Sequence, residues 1–135
     1  MKYLIDTNVI IDYLRGDEEI EKVLDLFIED GIGVSVISLA ELYKGVYKSS
    51  ETTKNLLSVE SFIKIPNVTL LETTLTISKE FGRLSSILEK KGEKIGPMDM
   101  LIASTSSVYG LVLVTEDKKH FTRIKNLGLK IELVN

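Results

Sequence analysis

Cysteine is absent and histidine occurs once, at His120. Without cysteine there is no disulfide, no thiolate zinc site and no cysteine nucleophile. One histidine excludes catalysis by a histidine pair and a metal cage built on several imidazoles. No apolar run approaches the roughly 18 residues that a membrane-spanning helix needs. The amino-terminal Met1-Lys2-Tyr3-Leu4-Ile5-Asp6 reaches an acid too soon for the apolar stretch of a signal peptide. A cytoplasmic protein that does not engage membranes is expected. No G-x-G-x-x-G and no Walker lysine motif is present, so a mononucleotide site is poorly supported. There is no nucleophile elbow for a Ser-His-Asp hydrolase. An aspartyl-nucleophile phosphatase usually wants a second acid two residues after the first, and Asn8 stands at that place after Asp6.

What is present suffices for one core. The chain has 135 residues, 44% of them hydrophobic and 27% charged. That length and composition argue for a single domain over residues 1–135. Net charge is −3, but it is uneven. Residues 1–78 hold 7 basic against 13 acidic side chains, and residues 79–135 hold 10 against 7. The acidic total argues against coating nucleic acid by bulk charge. It leaves room for a nucleic-acid enzyme whose bound cations invert the local sign.

Short apolar runs alternate with longer amphipathic stretches. Tyr3–Ile5, Val34–Ile37, Val68–Leu71, Leu111–Val114 and Ile131–Val134 are rich in Leu and β-branched residues. They read as strands covered on both faces. Between them, Ile20, Val23, Leu24, Phe27 and Ile28 form a helical stripe closed by Gly31. Leu56, Val59 and Ile63 form a second, stopped by Pro66. Ile77, Phe81, Leu84 and Leu88 form a third, stopped by Gly92. Met98, Leu101, Ile102, Thr105, Val108 and Tyr109 form a fourth, with Pro97 as its first residue and Gly110 as its end. The alternation predicts an α/β domain: a mostly parallel sheet of about five strands with helices on both faces.

In such sheets ligands bind beyond the carboxyl ends of the strands. Asp6-Thr7-Asn8 follows the first run, Ser38-Leu39-Ala40-Glu41 the second, and Thr115-Glu116-Asp117 the fourth. Asp99 lies one turn into the helix beginning at Pro97, which would start at the same rim. Each acid also has a plain structural role available. Asp6 suits a helix cap, Ser38-x-x-Glu41 fits a capping box, Asp99 suits a helix dipole and Asp117 a turn. Together they are harder to explain that way. Two carboxylates about 5 Å apart repel by about 3 kcal/mol at an effective dielectric near 20, whereas one cap recovers about 1 kcal/mol. A divalent cation is the natural compensation, and an all-oxygen set favours Mg²⁺ or Mn²⁺. Thr7, Asn8, Ser38 and Thr115 stand beside these acids, equally suited to orienting them or to ordinary turns.

The ordered set Leu4-Ile5-Asp6-Thr7-Asn8-Val9, Ser38-Leu39-Ala40-Glu41-Leu42, Gly96-Pro97-Met98-Asp99-Met100-Leu101-Ile102-Ala103 and Leu113-Val114-Thr115-Glu116-Asp117 with Phe121 resembles the PIN-domain family. Within it, the chain looks like a VapC-type toxin ribonuclease. The resemblance implies a Rossmann-like sheet and a Mg²⁺-dependent endoribonuclease that leaves 5′-phosphate and 3′-hydroxyl ends. It also implies a homodimer, a VapB-like antitoxin partner and RNA as substrate. By the same resemblance the acids at Asp6, Glu41, Asp99 and Asp117 bind the metal and carry catalysis, with Glu116 competing for the fourth place. Lys90, Lys91 and Lys94 before Asp99, and Lys118, Lys119, Arg123 and Lys125 after Asp117, would edge the site and meet the RNA backbone, or else are solvated helix ends. Arg83 points either to the core rim or to RNA. Two alternatives stand beside the toxin reading: a non-catalytic PIN-like assembly module, and a PIN nuclease of RNA processing.

Overall fold

The structure, a computed structural model, describes residues 1–134. Strand β1 (Tyr3–Ile5) leads into α1 (Thr7–Leu14) and α2 (Glu18–Asp30), and β2 (Ile32–Ser35) into α3 (Val36–Lys48) and α4 (Thr52–Ile63). β3 (Val68–Leu71) leads into α5 (Leu75–Lys90) and α6 (Pro97–Tyr109), and β4 (Val112–Thr115) into α7 (Lys118–Asn126) and β5 (Ile131–Leu133). The five strands form one sheet in the order β3-β2-β1-β4-β5, and every neighbouring pair is parallel. No helix among the described residues is long and apolar enough to cross a membrane.

The unbroken apolar runs follow from the period of two. Leu4 and Leu113 pair in register, as do Ile5 and Val114. Leu4 and Leu113 pack with Leu84, Leu88, Met100 and Ile102 of α5 and α6. Ile5 and Val114 turn the other way, to Val9, Ile10, Ile20, Leu24 and Phe62 of α1, α2 and α4. Alternate residues of the central strands thus feed separate cores on opposite faces, whereas the edge strands depart from the expected two-sided cover: Thr69 and Leu70 of β3 and Glu132 and Leu133 of β5 are exposed, because each edge strand has a neighbour on one side only. The helix ends match their local chemistry. Pro97 opens α6, and Gly110 closes it in the left-handed region at φ 66°.

The second strand departs from expectation. It spans Ile32–Ser35, and Val36 and Ile37 already belong to α3. Ser35 ends the strand because its hydroxyl caps α3, accepting from Ile37 N at 3.0 Å. The strand also begins earlier, across Gly33, where a Cβ would lie 2.8 Å from Leu71 Cδ1 and 3.1 Å from Met1 Sδ. A glycine closely packed by side-chain ends hides the strand from a propensity reading. The capping box Ser38-x-x-Glu41 is corrected with it: Ser38 and Glu41 sit inside α3, and Ser35 is the cap.

The strand order places the site. From β1 the chain builds toward β2 and β3 on one side, and later toward β4 and β5 on the other. The carboxyl ends of β1 and β4 therefore meet at the switch point of the sheet, where crossovers leave in opposite directions and open a crevice. Asp6 follows β1 there, its N–H donating to Val114 O across the gap at 2.9 Å.

Candidate metal centre

Asp6 caps α1 and has both carboxylate oxygens engaged. One accepts from Thr7 N (2.9 Å), and the other from the Thr115 hydroxyl (2.8 Å). Thr115 closes β4, only 2% exposed, and its oxygen also accepts from Asp117 N at 3.0 Å. One buried hydroxyl thus links the acids that follow two adjacent strands. On the other side, Thr7 Oγ1 donates to Glu41 Oε1 at 2.6 Å and contacts Ser38 Oγ at 3.1 Å. Glu41 is drawn toward the rim from the second turn of α3.

Asp99 enters from the first turn of α6, whose cap residue Gly96 offers no side-chain acceptor. Asp117 caps α7: one oxygen accepts from His120 N (3.1 Å), and the other contacts His120 Nδ1 (2.7 Å). Ligand atoms of Asp99, Asp117 and His120 all lie within 4.8 Å of one another. Burial raises the Asp99 pKa above the usual carboxylate value, and the charges of Asp6, Glu41 and Asp117 raise it further. Burial likewise raises Asp6, against the hydrogen bonds from Thr115 and Thr7, with Glu41 and Asp117 adding to the rise. Burial pushes Asp117 upward too, but the His120 ring and backbone hydrogen bonds outweigh it and the pKa ends below the usual value. The structure therefore brings Asp6, Glu41, Asp99 and Asp117 to one rim, with the mutual repulsion that a cation would relieve.

Other candidates separate. Asn8 is exposed on α1. Glu116 turns away from Asp99 toward Asp12 and Asp17; burial, then Asp12, raises its pKa to about 7, and its Oε1 is buried without a hydrogen-bond partner. Of the two adjacent acids, Asp117 is the one beside Asp99. Glu116 then carries a stability consequence. Below its unfolded pKa it is neutral in both states and costs nothing. The penalty grows as pH rises toward 7 and stays constant above, because only the folded state resists ionisation. Glu116→Gln should therefore stabilise the metal-free protein at pH 8 by about 1 kcal/mol after solvent screening. At pH 4 it should change nothing, as thermal unfolding in chelator at the two pH values would report.

Lys90, Lys91, Lys94, Lys118 and Lys119 are exposed, and Arg123 is half-buried. Arg123 Nη1 donates to Lys94 O at 3.1 Å, so the two basic clusters adjoin across the loop before α6 and α7. Arg83 is not at the core rim: it is exposed and paired with Glu80 of its own helix at 2.7 Å. Sequence reasoning passed over Lys44 and Lys48. They line a groove of about 380 Å³ with Thr7, Asn8, Glu41 and Met98. Their spacing from Glu41, three and seven residues on, is the helical signal that would have found them. His120 is partly buried, and it stands within the acidic cluster.

The sequence matches the PIN domain family over residues 3–127. A tRNA(fMet)-specific endonuclease VapC of Salmonella typhimurium is 33% identical over 132 residues, covering 98% of this chain and 97% of that protein. A ribonuclease VapC2 of Haemophilus influenzae is 32% identical, covering 92% of each. Among solved structures, VapBC2 of Rickettsia felis bound to a promoter DNA fragment superposes with a TM-score of 0.89 at 31% identity, covering all of both chains. DNA-bound VapBC of Salmonella typhimurium gives 0.87 at 32% identity, covering 98% of this chain and 97% of the other. With the strand order, the rim of carboxylates and these likenesses in agreement, the chain belongs to the PIN-domain family and, within it, to the VapC group.

Proposed function

We propose that this protein is a divalent-metal-dependent endoribonuclease acting in the cytoplasm as the toxin of a VapBC-like pair. The observation that carries this reading is the convergence of four carboxylates from four separate segments, Asp6, Glu41, Asp99 and Asp117, at the switch point of the sheet. The donor set fits Mg²⁺ or Mn²⁺: it is dominated by carboxylate oxygen, and burial and mutual repulsion make two of its members resist ionisation, which a cation would relieve. When bound, such an ion supplies Lewis acidity toward the phosphodiester and toward water.

The chain's own residues do the rest. Asp6 and Asp99 would hold the ion as direct ligands. Glu41, aimed by Thr7, would ligate it or orient a water beside it. Asp117 completes the site, and Thr115 keeps Asp6 in place. Lys44 and Lys48 along the groove, and Lys94, Lys118, Lys119 and Arg123 on the opposite flank, neutralise RNA phosphates on either side of the acidic centre. A VapB-like antitoxin as partner is part of the same proposal, supported by the likeness to VapBC complexes, and a homodimer is proposed as the working form.

The test is cleavage of a folded RNA, with and without metal. Activity should require millimolar Mg²⁺ or Mn²⁺, vanish in excess chelator and return on adding the ion back. Undiminished cleavage in chelator would overturn the metal assignment. Failure to bind either ion in a calorimetric titration would favour the assembly module instead.

A further inference from the structure

His120 is the chain's lone imidazole, and its side chain is only 17% exposed. It sits three residues after Asp117, at the start of α7. Two of its groups reach back to the same carboxylate: the backbone N–H to Oδ1 at 3.1 Å, and ring Nδ1 to Oδ2 at 2.7 Å. An ionised carboxylate can only accept, so Nδ1 carries the hydrogen. Helix capping accounts for the first bond but not the second. Asp17 caps α2 in the same way, accepting from Ile20 N at 3.1 Å, and its third-following residue has no side-chain donor. At Asp117 the added ring bond stops the carboxylate from turning about Cβ–Cγ. Both oxygens are pinned and each keeps a lone pair free, and one of them lies within 4.8 Å of an Asp99 carboxylate oxygen.

Resting on the metal-nuclease reading above, we propose that His120 is a positioning residue: its ring N–H locks the Asp117 carboxylate in the orientation that binds a divalent cation together with Asp99. Outer partners of metal-binding carboxylates typically govern affinity by 10- to 100-fold. The competing role is direct ligation through Nε2, since a neutral ring that donates from Nδ1 leaves Nε2 with a lone pair.

Three variants separate the roles in the full chain. His120→Asn sets an amide N–H near the place of Nδ1 and removes Nε2. His120→Gln sets its amide near the place of Nε2 and removes Nδ1. His120→Leu removes both. Mn²⁺ affinity is read by titration calorimetry, and the melting temperature is read in chelator. The expected result is about a tenfold loss of Mn²⁺ affinity in the Leu variant. The Gln variant should lose as much, and the Asn variant should return most of it. Metal-free melting temperatures of the Asn and Gln variants should agree, because the backbone cap is intact in both. Recovery by Gln and not by Asn overturns positioning in favour of direct ligation. Mn²⁺ affinity in the Leu variant equal to wild type overturns any role for the ring. Should the Leu variant fail to fold, the comparison of Asn with Gln decides alone. If the wild-type protein itself binds no Mn²⁺, the metal-nuclease reading fails first, and this inference falls with it.

Discussion

Asp99→Asn should reduce RNA cleavage at pH 7.5 by about 1000-fold or more, while leaving the metal-free protein at least as stable as wild type. The loss follows from removing one direct metal ligand: metal catalysis supplies several kcal/mol of charge stabilisation, and each 1.4 kcal/mol is tenfold in rate. The stability half follows from the sign of the Asp99 shift. Its pKa is raised by burial and then by Asp6, Glu41 and Asp117, so its ionised form is disfavoured in the folded state. Near-neutral pH is where that cost is fully present, and it disappears as the pH falls and the group protonates. Asparagine keeps the shape and discards the charge. Asp6→Asn should behave likewise in activity, retaining an oxygen to accept from Thr115. Single-turnover cleavage and thermal unfolding in chelator check both halves. Cleavage within tenfold of wild type would remove Asp99 from the metal site. A loss of activity accompanied by a collapsed melting temperature would show a structural role instead.

The parts of this site that were legible in the sequence are those with a local signature. Asp6 follows a three-residue apolar strand, and Asp99 follows a Pro that opens a helix; both signals need only neighbours in sequence. Glu41 and Ser38 were identified as residues but given the wrong setting. The run Val34-Ser35-Val36-Ile37 is β-branched at all but Ser35, yet the helix starts in its middle because Ser35 supplies the cap. Ile32 and Gly33 were left out of the strand because Gly33 answers to Leu71 and Met1, which are distant in sequence. Glu116 and Asp117 could not be told apart by order alone. Which one faces Asp99 depends on which one caps α7, and that cap places Asp117 beside His120. His120 was overlooked for a related reason. A single histidine removes paired-imidazole chemistry, but it says nothing of a ring that acts on a carboxylate. The fold was more legible than the site, since burial on both faces of β1, β2 and β4 is written into composition, whereas side-chain direction at a rim is set by caps and hydrogen bonds across the chain.

Thr115→Val tests the hydroxyl that joins the two halves of the centre. Valine keeps the shape of the side chain, which is 2% exposed, and deletes its single polar atom. Two bonds go at once: the donor to Asp6 Oδ2 and the acceptor for Asp117 N. The Asp6 pKa is already raised by burial, and the Thr115 bond is the main influence pulling it back. Without that bond Asp6 rises further, so a higher pH is needed before it can hold a cation. Cleavage at pH 7 should fall about 10- to 100-fold, as for other outer-shell partners of metal ligands. The deficit should shrink as pH is raised toward 9 or as Mn²⁺ is increased, because both restore the ionised, metal-bound form. Stability should drop by about 1–3 kcal/mol, the cost of leaving the Asp117 N–H without its acceptor. A pH–rate profile and a Mn²⁺ dependence that superimpose on wild type would show that Asp6 does not depend on Thr115. In that case a drop in melting temperature alone would mark the hydroxyl as part of the α7 cap, whereas a shifted acid limb ties it to the chemistry, since a cap has no means of moving the pH at which Asp6 ionises.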